Sequence, residues 1–194
     1  MKLVNIPQFG PMMRFCDADV YWSLHVININ GRISRCKLAE VVGVGEGSMR
    51  KILEYLRSWE LVDINQTGVS INDAGLEFLD TIPIRVVDVD IPEYVRGSIA
   101  QGILVMGKYS KITNGAHQRD IGIRAGAVGC TTFIVKDDRI IMAPDWDMDV
   151  KDPAAADKIR KAAEPKEGDV IIIGSAEDKP SAARAAVKAG LDMI

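Results

Sequence analysis

Cysteine is scarce in this 194-residue sequence: Cys16, Cys36 and Cys130 are the whole complement. An odd number without close spacing makes neither a disulfide framework nor a zinc motif, so three reduced thiols are expected. Histidine is scarcer, His25 and His117 alone, which excludes a histidine-rich metal site. No metal or cofactor is called for. Long apolar runs are also missing. Ile103-Leu104-Val105-Met106 and Val170-Ile171-Ile172-Ile173 fall far short of the ~20 residues that span a bilayer. The N-terminus lacks the basic start and apolar run of a secretory signal. The expectation is a soluble, cytoplasmic protein with no membrane partner. No internal repeat or low-complexity tract appears.

An excess of basic charge is absent as well, since the formal net charge is −3. A protein that coats nucleic acid over its whole surface is normally basic. Any such contact here must come from a local face. The charge is uneven: up to residue 62 there are eight Lys/Arg against six Asp/Glu, a net of +2, and the remainder carries −5.

Hydrophobic residues make up 47% and charged residues 26%, ordinary values for a folded globular chain. The length suits one large or two small domains. Residues 1 to 15, with Pro7, Gly10 and Pro11, read as an irregular arm. Apolar Val20, Tyr21, Leu24 and Ile27 share a helix face to about Asn28, with Asp17 as its cap and Asn30-Gly31 as its end. Ile33 is a short extended stub. Ser34 caps a short helix to Val42, and Ser48 to Trp59 is a longer one, with Met49, Ile52, Leu53 and Leu56 inward. Leu61–Ile64 and Val69–Ile71 flank a turn, and Asn72 or Asp73 caps a helix to Leu79.

Ile82-Pro83 marks a joint, so domains 1–82 and 83–194 are expected. Beyond it, strands are expected at 84–91, 102–106, 131–135, 139–142 and 169–173, the third and fourth forming a hairpin around Asp137-Asp138. Helices are expected at 115–126, 153–163 and 181–189. The fold class is α+β: an N-terminal winged helix-turn-helix followed by a small mixed α/β domain.

The helix-turn-helix requires two helices joined by a tight corner, the second free to enter the major groove. Ala39 lets the helices approach, Gly43 supplies a positive φ, and Val44 plugs the angle. Arg50, Lys51 and Arg57 point outward with Ser48, while Arg32, Arg35 and Lys37 surround the start of the first helix of the pair, where phosphate contacts are common. These seven are the candidate DNA-contacting residues. The segment Arg50 to Val62 resembles the recognition helix and wing entry of winged-helix regulators. Val69-Ser70-Ile71-Asn72-Asp73-Ala74-Gly75 resembles their wing return. Against DNA stand a wing without Lys or Arg and the carboxylates Glu46 and Glu54.

Residues 83–194 carry no known catalytic signature. Two segments invite a ligand. Around residues 117–132, Gln118 and Arg119, or His117 with Arg124, meet Thr131 and Thr132 in a pocket, or else form a solvated helix face. Gly174 and Ser175 precede a helix whose free amides suit an anion, or else Glu177 and Asp178 cap that helix. The run Asp145-Trp146-Asp147-Met148-Asp149 reads as a solvated loop, lacking the glycine and distal Glu of a calcium loop.

The stretches Gln118-Arg119-Asp120-Ile121-Gly122-Ile123-Arg124-Ala125-Gly126-Ala127-Val128-Gly129-Cys130-Thr131-Thr132 and Gly168-Asp169-Val170-Ile171-Ile172-Ile173-Gly174-Ser175-Ala176, behind a winged helix, resemble a group of uncharacterised archaeal proteins. These carry a C-terminal domain of unknown function after a helix-turn-helix. The resemblance implies a transcriptional regulator and assigns no ligand. The expected partners are double-stranded DNA, gripped by a homodimer, and a small-molecule effector. The alternatives are an enzyme or binding module for a phosphorylated metabolite with an accessory winged helix, and a protein-interaction module.

Overall fold

The structure, a computed structural model, describes residues 1–3 and 14–194. Most of the irregular arm expected at residues 1–15 lies outside them. The chain divides into two compact units, Lys2–Ile82 and Pro83–Ile194, the second including Met1.

In the first unit α1 (Asp17–Asn30) is followed by α2 (Arg35–Val42) and α3 (Glu46–Ser58). A two-stranded wing, β1 (Val62–Asn65) and β2 (Gly68–Ile71), leads to α4 (Asp73–Thr81). The helix packs where its sequence is apolar nearly all round: α1 lies against α2, α3, α4 and β2 and buries Tyr21, Trp22, Leu24 and Ile27. Asp17 is not its cap. It is the first helical residue, Cys16 takes the N-cap position, and the Asp19 carboxylate accepts from the Cys16 amide at 2.8 Å. A carboxylate at the third helical position reaches back over the open turn, which relieves Asp17 of that duty. Met49, Ile52, Leu53 and Leu56 are all buried, as their spacing predicts. The wing is pinned at its base by a bridge between Ile33 and Val69. Asn72 accepts from the Gly75 amide at 3.0 Å to start α4. A side chain at Gly75 would meet the Leu61 carbonyl oxygen at 2.2 Å, so the wing returns against bare backbone.

The second unit is one six-stranded sheet in the order β3-β4-β8-β5-β6-β7, with every pairing antiparallel. The strands are β3 (Ile84–Val87), β4 (Ile99–Val105), β5 (Gly129–Lys136), β6 (Arg139–Met142), β7 (Trp146–Asp147) and β8 (Val170–Ala176). The helices are α5 (Ala116–Arg124), α6 (Met148–Lys151), α7 (Pro153–Ala163) and α8 (Lys179–Leu191). On one face Phe133, Ile171 and Ile173 pack with Met148, Ala156 and Ile159. Against the other lie α8, over β4 and β8, and α5, over β5. The central strand β8 is therefore buried along its whole length, the state its unbroken apolar run predicts.

The expected strand to Ile91 stops at Val87. The alternating Asp88 and Asp90 run on outside the sheet, since alternation alone supplies no neighbouring strand. The short β7 and α6 arise where a loop was expected, because Asp147 accepts from the Val150 amide at 3.3 Å and starts a turn of helix. Asp137 and Asp138 both take positive φ, 53° and 61°, the conformation a two-residue hairpin requires.

Two outcomes follow. Gly174→Ala forces a methyl to within 2.3 Å of the Ala182 carbonyl oxygen, and a loss of about 3 kcal/mol, the upper end for overpacking, is expected in urea denaturation. His25 stacks on Trp22 with ring centroids 5.1 Å apart, and burial holds its imidazole below the ordinary value of 6.5. As pH falls through that value the unfolded chain takes the proton first, so this contribution is complete above it and declines below. Thermal melts at pH 7 and pH 5 should show a smaller drop in His25→Phe than in the parent chain.

Candidate functional site

In the first unit the Ser34 hydroxyl accepts from the Lys37 amide at 3.3 Å and starts α2. Ala39 is buried where α2 meets its neighbours, Gly43 turns the corner at φ 72°, ψ 38°, and Val44 is half-buried beyond it. This corner leaves the outer face of α3 exposed beside the wing. Between them lies a groove of about 330 Å³. Leu53 floors it, Arg35, Arg50 and Arg57 line the helix side, and Asn65, Gln66 and Thr67 line the wing side.

The cations differ in what already holds them. Lys37 pairs with Glu40 at 3.0 Å and Lys51 with Glu54 at 2.8 Å, both on the surface. The Glu54 hydrogen bond raises the Lys51 ammonium above its usual range. Arg32 donates to Thr67 Oγ1 and Asn65 Oδ1 across the wing. Among the described residues, Arg35, Arg50 and Arg57 have no ion-pair partner. Three of the seven expected contact residues thus converge with free guanidinium groups, and Arg32 braces the wing. Ser48 sits half-buried in the first turn of α3, outside the groove lining. The signal for pairing Lys37 and Lys51 is the Glu three residues after each, a helical spacing visible in the sequence.

In the second unit, β5 pairs with β6 only from Phe133 onward, and the Ala143 amide closes the ladder on the Thr132 carbonyl at 3.0 Å. Before that point the edge of β5 opens onto two adjoining hollows of about 390 and 410 Å³. Both are lined by Arg119, Cys130, Thr131 and Met142. Thr132 joins the first, and Arg96, Ile123 and Val128 join the second. Thr131 donates to the Tyr94 carbonyl at 2.8 Å. Thr132 is 4% exposed, and its hydroxyl has no hydrogen-bond partner among the described residues.

The other expected ligand residues are not brought there. The Gln118 side chain is buried and lines neither hollow. Gly174 lies under α8, and Ser175 is buried with its hydroxyl accepting from the Arg96 amide and donating to the Gly129 carbonyl. At the start of α8 the Asp178 carboxylate accepts from the Ser181 amide at 2.8 Å, so the cap occupies the place an anion would take. His117 pairs with Asp192 at 2.7 Å rather than meeting Arg124 at a pocket. In the acidic run, Asp147 pairs with Arg139, and Asp149 accepts from the Ile140 amide and from Arg160. The Arg160 hydrogen bond holds the Asp149 carboxyl below its ordinary range. Asp147 thus ties β7 to β6, and Asp149 ties α6 to β6 and α7.

No group of metal-ligating side chains occurs among the described residues, and no helix there is long and apolar enough to cross a membrane. Residues 95–193 match the family model of a domain of unknown function, DUF4443. Residues 19–84 match the model of the CggR N-terminal DNA binding domain. The hypothetical protein PH0730 from Pyrococcus horikoshii OT3 shares the fold, with a TM-score of 0.75 at 22% identity over 93% of each chain. The Pseudomonas aeruginosa protein HmgR aligns over 91% of this chain and 96% of its own at 13% identity, with a TM-score of only 0.29. No curated protein matches the sequence. The resemblance to archaeal proteins with a helix-turn-helix ahead of a domain of unknown function holds.

The thiols should separate by reactivity. Cys36 is exposed, whereas burial pushes the Cys130 thiol up to about 12. In alkylation at pH 8, Cys36 is expected to react in the native chain and Cys130 only after denaturation, read by peptide mass. Rapid native labelling of Cys130 would show that α5 does not close over β5.

Proposed function

This chain belongs to the DUF4443 family, and from the match of residues 19–84 to a DNA-binding domain model and the arginine-lined groove of its first unit we propose a DNA-binding transcriptional regulator rather than an enzyme. The observation that carries the reading is the convergence of Arg35, Arg50 and Arg57 beside an exposed α3. An α-helix fits the major groove, where a guanidinium reads guanine through two hydrogen bonds. Arg50 and Arg57 approach base edges or phosphates, and Arg35 meets the backbone at the start of α2. Arg32 lends positive charge to a wing without Lys or Arg of its own. Ser48 hydrogen-bonds a phosphate from the first turn of α3. Lys37 and Lys51 exchange glutamate for phosphate, a small cost for exposed pairs.

The protein binds double-stranded DNA in the cytoplasm as a homodimer, since paired heads of this kind read half-sites about one helical turn apart. The second unit supplies the regulatory input by taking up a small-molecule effector or by mediating assembly. The match of residues 19–84 to a DNA-binding domain model supports the first unit's role. The rival reading, an enzyme or binding module for a phosphorylated metabolite, drew partly on Gly174 and Ser175, and both are consumed by packing.

Fluorescence anisotropy with genomic fragments across a salt series tests the proposal. Arg50→Ala with Arg57→Ala is expected to weaken binding and to flatten the log–log salt slope by about 1.8, two phosphate contacts' worth. Lys37→Ala with Lys51→Ala should change it less. An unaltered affinity and slope in the arginine double variant would overturn the assignment.

A further inference from the structure

We propose that the hollow at the start of α5 binds the oxyanion group, carboxylate or phosphate, of a small organic metabolite. The inference rests on the regulatory reading above only for its biological consequence. The site itself stands on three observations within the second unit.

The first is the helix start. Gly115 turns into α5 at φ 74° with no side-chain cap. The Ala116 amide is taken by Asn114 Oδ1 at 3.0 Å, and the Arg119 amide by the Gly115 carbonyl at 3.0 Å. Between them, the His117 and Gln118 amides fall in the turn that has no intrahelical acceptor. The positive end of this nine-residue helix favours an anion, and the hollow meets it at Gly115, Ala116 and Arg119.

The second observation is independent of the helix. Thr132 projects from β5 to the same place, 96% buried, with its hydroxyl unpartnered among the described residues. A Cβ built at Gly115 would lie 3.8 Å from that Oγ1, so the hydroxyl sits at the helix start. Buried polar groups in folded proteins are paired almost without exception. An orphan hydroxyl at this helix start, on a residue that lines a hollow of about 390 Å³, is a donor that a turn about its Cα–Cβ bond brings to a guest.

The third is the side clamp. Arg119 lines both hollows and at present turns its Nε and Nη2 toward Asp120 at 3.1 and 3.0 Å. Arg119 and Asp120 are about half exposed, at 56% and 48%. An exposed pair between neighbours is weak, so the guanidinium can pass to a ligand oxyanion. Gly115 keeps the entrance open, because a methyl there would crowd Ala143 Cβ at 3.2 Å. Beyond the anion subsite, Met142, Ile123 and Val128 offer apolar surface for the rest of the molecule.

Calorimetric titration of the full chain with inorganic phosphate and, separately, with succinate tests the site. Saturable binding of at least one probe is expected. Phosphate alone would assign a phosphorylated metabolite, succinate alone a carboxylic acid, and both an oxyanion site of either kind. Arg119→Gln and Thr132→Val should each weaken the responding probe tenfold or more. Without ligand, Thr132→Val should melt about 2–4 °C higher, since it removes an unpaired buried hydroxyl. No binding tighter than about 1 mM by either probe, or undiminished binding in either variant, would overturn the proposal. So would a lower melting temperature for Thr132→Val, which would show the hydroxyl already satisfied. DNA is absent from these titrations, so their failure leaves the groove of the first unit untouched.

Discussion

At Gly174 the backbone of β8 comes so near α8 that a methyl group would touch the Ala182 carbonyl at 2.3 Å and the Ala186 amide at 2.9 Å. The second unit depends on that approach. The alanines Ala182, Ala185, Ala186 and Ala189 are fully buried on α8, and their small size lets the helix rest on the sheet. Gly122 repeats the arrangement for α5, where a Cβ would meet Cys130 at 2.6 Å. With both helices drawn down on one face and α6 and α7 packed on the other, β8 loses contact with water on both faces, and burial of its apolar side chains stabilises the unit by about 25 cal/mol per Å². Small residues, more than large ones, set the spacing.

That spacing also makes the hollow beside β5. A helix seated so low brings its first turn level with the strand, and β6 leaves the sheet at Met142. The open edge ahead of Thr132 is thus bounded by helix start, strand and departing loop. A bulkier residue at Gly122 or Gly115 would lift the helix or fill the space. The site and the packing have one cause.

Much of this was legible in the residues. Ser34, Gly43 and the spacing of Met49, Ile52, Leu53 and Leu56 predict the helical corner, and β8 follows from its apolar run, because local propensity and burial agree there. Asn72 and Gly75 predict the wing return, and the contact of Gly75 with Leu61 supplies the reason. Arg119, Thr131 and Thr132 were readable as neighbours. What could not be read was direction. Gln118 follows the same helix inward, and Ser175 alternates to the face opposite α8, outcomes set by tertiary contacts. Gly174 and Ser175 resemble a phosphate turn in sequence, but Asp178 satisfies the helix start. The ion pairs of Lys37 and Lys51 need only helical spacing, yet nothing in composition says which cations remain free.

Those two pairs bear on how such a head would search. Coulombic attraction to random duplex grows with the number of phosphates neutralised. Two lysines already shared with glutamates would each give up a weak exposed pair on the way to a phosphate, so part of that attraction would be offset. A head of this kind would leave non-target duplex sooner than one whose lysines were all unpaired. Residence at a target would then rest on Arg50 and Arg57 at the base edges, with Arg35 holding the backbone.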